Sequence, residues 1–255
     1  MPTVLLRLAA PMQSWGVDSV FNTRSAGIAP SKSAVIGLVA SAIGRRRGDA
    51  LEDLSDLRFG VRVDQPGRMM RDYQTVRNPK KDEVMFTTDR YYLSDAVFLA
   101  GLEGDDGIVS DIESALRSPA FPPFLGRRSC PPTQPLSLGV RDMGLVEALT
   151  QEGWLASAWY RRRSPSKVSL EAVLDSEGAQ ADSLVRDVPE SFDPRRRAYG
   201  YRQVRHEIHF VSFDNPDSRR RSGITDHDPI SAVRGSSRCT SRAWRSIPAG
   251  AARCR

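Results

Sequence analysis

The chain has 255 residues, 40% of them apolar and 27% charged, enough for one large domain, or one domain with an appendage, to bury a core without staples. No apolar run reaches the ~18 residues of a membrane span, and the first seven residues lack a basic start and carry Arg7 within their apolar part, so no signal peptide is expected. The net charge of +6 is concentrated: from Asp217 onward there are nine Arg and three Asp, whereas residues 1–216 hold 28 basic and 28 acidic side chains, so a nucleic-acid site in the body has to come from local clustering.

Residues 3–9 alternate, with Val4, Leu6 and Leu8 on one face and Leu5 and Arg7 on the other, and predict a first strand that Pro11 stops. Residues 11–30 read as a polar loop containing Trp15, Gly16 and Arg24. Ser31 then offers an N-cap, and Val35, Leu38, Val39, Ala42 and Ile43 fall at helical spacing up to Gly44. Leu57, Phe59, Val61 and Val63 alternate as a second strand. Residues 67–92 are polar and basic, a hairpin or a mobile projection, and residues 91–102 are apolar and β-favouring. Ile108, Ile112 and Leu116 predict a helix over 107–117. The following stretch, 119–135, carries six prolines that forbid helix and favour extended chain. A further helix is predicted over 143–158, with late strands over 168–174 and 201–213.

This order of elements is that of a ferredoxin-like βαββαβ domain interrupted between its middle strands, although length alone allows other α+β folds. From Asn215 onward the periodicity dissolves into Ser, Arg, Gly and Pro. Such a segment cannot bury enough to offset its ordering entropy. Residues 217–255 are therefore expected to form a disordered basic tail, or else a misread, non-native C-terminus.

Catalytic motifs are sparse. His206-Glu207-Ile208-His209 has the residue types of a zinc-protease helix but the wrong spacing, and it falls in a predicted strand whose i and i+3 positions point to opposite faces. Cys130, Cys239 and Cys254 stand at no metal-ligand spacing, which suggests a cytosolic protein with reduced thiols and no metal. No nucleophile elbow, P-loop or dinucleotide fingerprint occurs, and no cofactor is expected.

Anion-binding features are more numerous. Ser31, Lys32 and Ser33 open the first helix, where free N–H groups, two hydroxyls and an ammonium suit a phosphate; simple N-capping by Ser31 is the plainer reading. Gly126-Arg127-Arg128-Ser129 combines a close-approach glycine with two guanidiniums, either gripping phosphates or forming a solvated loop. Between Arg71 and Arg77, Tyr73 interrupts basic residues, as single-strand binders do to combine stacking with charge. The runs Arg161-Arg162-Arg163 and Arg195-Arg196-Arg197 read as solvated faces.

Several blocks then assemble into a resemblance. Leu6-Arg7-Leu8-Ala9-Ala10-Pro11-Met12-Gln13-Ser14-Trp15-Gly16, Thr23-Arg24, Pro30-Ser31-Lys32-Ser33-Ala34-Val35-Ile36-Gly37-Leu38 and Phe124-Leu125-Gly126-Arg127-Arg128-Ser129-Cys130-Pro131 closely resemble the CasD family of type I-E CRISPR Cascade subunits, over about residues 1–213. The resemblance implies a ferredoxin-like, RRM-type core with a β-thumb insertion at about 67–92 and additional C-terminal strands. It further implies a non-catalytic subunit that caps the backbone of the complex and holds the 5′ handle of CRISPR RNA in support of antiviral DNA targeting. The matching positions are Gln13, Trp15, Arg24, Ser31, Lys32, Ser33, Gly126, Arg127 and Arg128; Arg71, Tyr73 and Arg77 lie in the region matching the thumb. Implied partners are CRISPR RNA, the neighbouring backbone subunit, the large PAM-recognising subunit and, through the complex, target DNA, in the cytoplasm and with no membrane. The alternative from another class is a metal-independent endoribonuclease that matures CRISPR RNA. The absence of histidine before His206 weighs against it.

Overall fold

The structure, a computed structural model, describes residues 1–16, 19–20, 23–24, 27–78, 80, 84–176 and 178–219. The expected disordered tail, apart from its first three residues, lies outside them. Strand β1 (Thr3–Ala9) and the short β2 (Met12–Gln13), β3 (Ser19–Val20) and β4 (Thr23–Arg24) precede helices α1 (Lys32–Ile43) and α2 (Glu52–Ser55) and strand β5 (Arg58–Gln65). A long hairpin, β6 (Arg68–Arg77) and β7 (Val84–Ser94), leads into β8 (Val97–Glu103), α3 (Asp106–Arg117), β9 (Ser137–Arg141), α4 (Leu145–Gln151) and α5 (Ala158–Arg163). Strands β10 (Lys167–Asp175), β11 (Ser183–Ser191) and β12 (Ala198–Asp214) follow.

These strands form two sheets. The larger has seven antiparallel strands in the order β11-β12-β10-β5-β8-β1-β9. In the smaller, β7 pairs with β6 along one edge and with β2 and β4 along the other, and β3 pairs with β4. The chain is thus mixed α/β around an antiparallel sheet.

Alternation along β1 explains how the large sheet is covered. Val4, Leu6 and Leu8 join Phe59, Val61, Phe98 and Leu102 in a core closed by Val35 and Val39 of α1 and Val109 and Ile112 of α3. Leu5 and Leu99 point the other way, into a smaller core with Leu145 and Leu149 of α4. Glycine makes this second layer fit: a Cβ on Gly101 would stand 2.6 Å from Leu145 Cδ1. Helix α1 begins at Ser31, whose hydroxyl accepts from the Ala34 amide, and ends at Gly44 in the left-handed conformation.

Three expectations change. The apolar run over 91–102 is two strands in different sheets, because the chain turns at Asp95, which has φ 55°. The helix expected over 143–158 stops at Gln151. There the buried Arg62, paired with Asp64 at 2.7 Å, donates to the carbonyls of Leu149, Glu152 and Gly153, while Asp64 accepts from the Leu155 amide at 2.6 Å and Gln65 from the Ser157 amide and hydroxyl. A buried ion pair therefore ends the predicted helix at α4, and α5 follows as a separate helix beyond its expected end. Finally, β9 lies just beyond the proline stretch and β11 where no strand was expected.

Candidate nucleic-acid interface

The Gly126 loop is tightly held. The Leu125 amide donates to the Cys130 carbonyl and the Cys130 amide to the Arg127 carbonyl, both at 2.8 Å. Gly126 has φ +83°, and a Cβ there would stand 1.8 Å from the Ser14 carbonyl oxygen, so both conformation and space demand glycine. The Ser14 amide in turn donates to the Leu125 carbonyl at 3.1 Å. Burial pushes the Cys130 thiol above its ordinary range, which makes it a packing group rather than a nucleophile.

This loop abuts the base of the hairpin. The Arg127 guanidinium lies over the Tyr92 ring, 4.6 Å from its centroid, and the Ser14 hydroxyl donates to the Tyr91 carbonyl at 3.2 Å. Arg128 is exposed beside it. Strand β4 runs parallel to β7 and sets Arg24 in register with Arg90; the Arg24 side chain lies outside the described residues. Arg90 Nε and Thr88 Oγ1 are buried with no hydrogen-bond partner among the described residues. Arg90 and Tyr92 were not singled out in the sequence. Their signal was an alternating Arg-x-Tyr on one strand face, visible only once β7 is separated from β8.

Gln13 and Trp15 lie beneath this surface, both fully buried. Gln13 donates to the carbonyls of Leu8 and Ala96 and accepts from the Trp15 indole at 3.0 Å. Their polar groups are spent inside the protein, so they set the position of the Ser14–Gly126 contact rather than presenting a face.

Arg71, Tyr73 and Arg77 share one face of β6. Arg71 forms a bidentate pair with Asp89 at 2.8 and 3.0 Å and lies 5.9 Å from the Tyr73 ring centroid. Asp89 raises the Arg71 pKa above its ordinary value. Tyr73 is 59% exposed, and Met69, Met70, Met85 and Phe86 are also exposed along the hairpin.

At the helix start Ser31 is the N-cap of the plainer reading, and the phosphate cradle is occupied by the protein itself. The Lys32 amide donates to Asp187 at 2.8 Å, the Lys32 ammonium pairs with Asp175 at 3.4 Å, and Arg202 bridges the two carboxylates at 2.6 and 2.5 Å. Lys32 is buried, and Ser31 is an N-cap. Protein carboxylates fill the cradle in which Ser31, Lys32 and Ser33 were expected to hold a phosphate. The structure thus brings Gly126, Arg127, Arg128, Gln13, Trp15 and the Arg24 backbone to the hairpin base, and leaves Ser31–Ser33 at a separate, neutralised corner. Among the described residues, no group of three or more His, Cys, Asp or Glu is arranged to hold a metal, and no helix is long and apolar enough to cross a membrane.

Comparison with known proteins agrees with this architecture. A family described as CRISPR-associated protein (Cas_Cas5) matches residues 3–205. The chain belongs to this family. It is 37% identical over 156 residues to the CRISPR system Cascade subunit CasD of Escherichia coli (strain K12), covering 53% of this chain and 70% of that protein. A crystal structure of a Cas protein superposes with a TM-score of 0.65 at 37% identity, over 85% of this chain and 97% of the other. A chain of a CRISPR RNA-guided surveillance complex superposes with a TM-score of 0.67 at 33% identity, over 84% and 95%. The resemblance read from the sequence motifs holds.

Proposed function

We propose that this chain is a non-catalytic subunit of a type I-E Cascade complex that holds the 5′ handle of CRISPR RNA. The observation that carries the reading is the junction of the Gly126-Arg127-Arg128 loop with Ser14 and Tyr92 at the hairpin base. There a rigid backbone, two guanidiniums and an aromatic strand meet on one surface. Arginine forks suit phosphates, and splayed single-stranded bases suit aromatic and backbone contacts. Arg24, Arg71, Tyr73 and Arg77 extend the surface along the hairpin, with Gln13 and Trp15 positioning its floor.

The strand order β9-β1-β8-β5, with α1 following β1 and α3 following β8, supports a ferredoxin-like, RRM-type core. The β6–β7 hairpin, inserted between its middle strands and rich in exposed apolar side chains, fits a thumb that docks on the neighbouring backbone subunit. The other partners under this reading are the large PAM-recognising subunit and, through the assembled complex, target DNA. The setting is cytoplasmic. Residues beyond Arg219 act as a separate basic tail that adds only sequence-independent attraction.

The test is binding of handle RNA and a scrambled RNA to the purified protein. The wild type is expected to discriminate between them, and Arg127→Ala with Arg128→Ala to weaken handle binding and lower its salt dependence while staying folded. An unchanged affinity and salt slope in a folded double variant would reject the site. Incubation with repeat RNA in EDTA addresses the non-catalytic assignment: intact RNA is expected, and cleavage would replace it with the endoribonuclease reading.

A further inference from the structure

A second basic surface lies apart from the Gly126 loop. Two clefts, of about 510 and 440 Å³, meet at Trp159. The first is lined by Trp159, Arg162, Arg163 and Arg219. Arg7 and Arg161 line the second. Distant parts of the chain build this groove, with Gln65 and residues 95–97 and 133–134 also lining it. Arg7 projects from β1 on the Leu5 face, and the buried Arg62–Asp64 pair starts α5 where it does by turning residues 152–157 back on the sheet. Asn215 and Ser218 then anchor the end of the described chain on carbonyls of Arg161, Ser164 and Pro165, and the Arg219 amide donates to the Arg162 carbonyl at 3.0 Å. The body therefore extends through Arg219, three residues past the expected boundary.

The charges in this groove are only partly answered. Arg7 Nε and Arg161 Nε are both buried and make no hydrogen bond to a described residue. Arg7 donates through Nη2 to the Leu155 carbonyl at 3.3 Å, and Arg161 stands 3.6 Å from Asp217. Burial pulls the Arg7 pKa below its ordinary value; the Asp64 carboxylate opposes that shift, and the neighbouring Arg161 cation adds a smaller push in the same direction as burial. The carboxylates near the groove are Asp64, which acts on Arg7, Asp95 and Asp217, against five arginines. Trp159 is 40% exposed, with Arg163 5.5 Å from its ring centroid and Tyr160 set edge-on. Half-exposed guanidiniums clustered beside an exposed indole suit a phosphodiester chain with a stacked base.

We infer that the groove between Arg7, Arg161 and Trp159 binds the backbone of single-stranded nucleic acid without sequence preference, one base stacking on Trp159. The inference uses none of the handle residues and does not rest on the handle reading. It gives the Arg161-Arg162-Arg163 run a role that its sequence, as a charge run, did not suggest.

The test uses the full chain and fluorescent oligo(dT) and oligo(U) of about twelve nucleotides, within the span such grooves cover. Two measurements are made: Kd by anisotropy at several salt concentrations, and photocrosslinking with 5-bromouridine in place of the base. Trp159→Ala is expected to raise Kd about tenfold for both strands, with Trp159→Phe within about threefold of wild type. Arg162→Glu with Arg163→Glu, both exposed, is expected to lower the salt slope by about 1.4, two contacts' worth. The crosslink is expected on Trp159. Unchanged Kd and slope in these folded variants, or adducts confined to residues 220–255, would overturn the groove. Loss of discrimination between handle and scrambled RNA in Trp159→Ala would merge the groove with the handle site and also overturn the inference. Failure of Arg127→Ala with Arg128→Ala to affect the handle bears only on the function proposed above.

Discussion

The helix start at Lys32 and the loop at Arg127 both carry cations that could meet a phosphate, but they do opposite things in the fold. At the first, Asp175 and Asp187 come from β10 and β11 to take the Lys32 ammonium and amide, and Arg202 locks both carboxylates in place. At the second, the neighbour of the guanidinium is an aromatic face, Tyr92, and the backbone beneath is held by Gly126 on Ser14. A cation met by buried carboxylates serves stability. A cation laid on an aromatic ring is held by the attraction of the ring face.

The largest expected effect lies at the neutralised corner. Arg202→Ala removes the guanidinium shared by the buried Asp187 and the half-buried Asp175, and removing one partner of a buried network costs about 3–5 kcal/mol. Urea denaturation is expected to show that loss, while the folded fraction binds handle RNA as the wild type does. A stable variant with weakened RNA binding would reverse the roles of the two regions.

Gly126→Ala comes next. It places a methyl against the Ser14 carbonyl at a left-handed φ, so a destabilisation of at least about 1–3 kcal/mol is expected. RNA affinity is expected to fall with it, because the loop has to leave Ser14. Stability lost with affinity intact would show that the loop's fixed position does not matter for binding.

How far the two regions could be told apart in advance depended on range. The Ser31 cap, the Gly44 stop and the alternation of Val4, Leu6 and Leu8 are local, and β1 and α1 were legible from them. The need for glycine at 126 was legible as a close approach, but not what it approaches. The neutralisation of Lys32 was not legible, since Asp175 and Asp187 are far away in sequence and reach the helix only through the pairing of β10, β11 and β12. The break between α4 and α5 was hidden for the same reason: it is made by Arg62 and Asp64, charged residues in a strand that reads as apolar alternation. Tyr92 was lost in an apolar run that the fold divides at Asp95, and Arg90 was read only as one of the basic residues of the projection before it.

A smaller effect is expected on the hairpin, where Arg71 sits between the two extremes. Asp89 answers its charge, but at the surface, where water and salt screen such pairs. Asp89→Asn is expected to change stability little and to release Arg71 toward RNA, steepening the salt slope by about 0.7 for one added single-strand contact. An unchanged slope would place Arg71 outside the RNA path.

The most direct test of the contrast is the salt dependence of handle-RNA binding in two variants measured side by side, Arg127→Ala with Arg128→Ala and Lys32→Met. The first is expected to lower the slope by about 1.4, the contribution of two phosphate contacts to a single strand. For Lys32→Met no change in slope is expected, and folding should be weakened instead. A slope that falls for Lys32→Met and holds for the loop variant would contradict the account and move the RNA to the helix start.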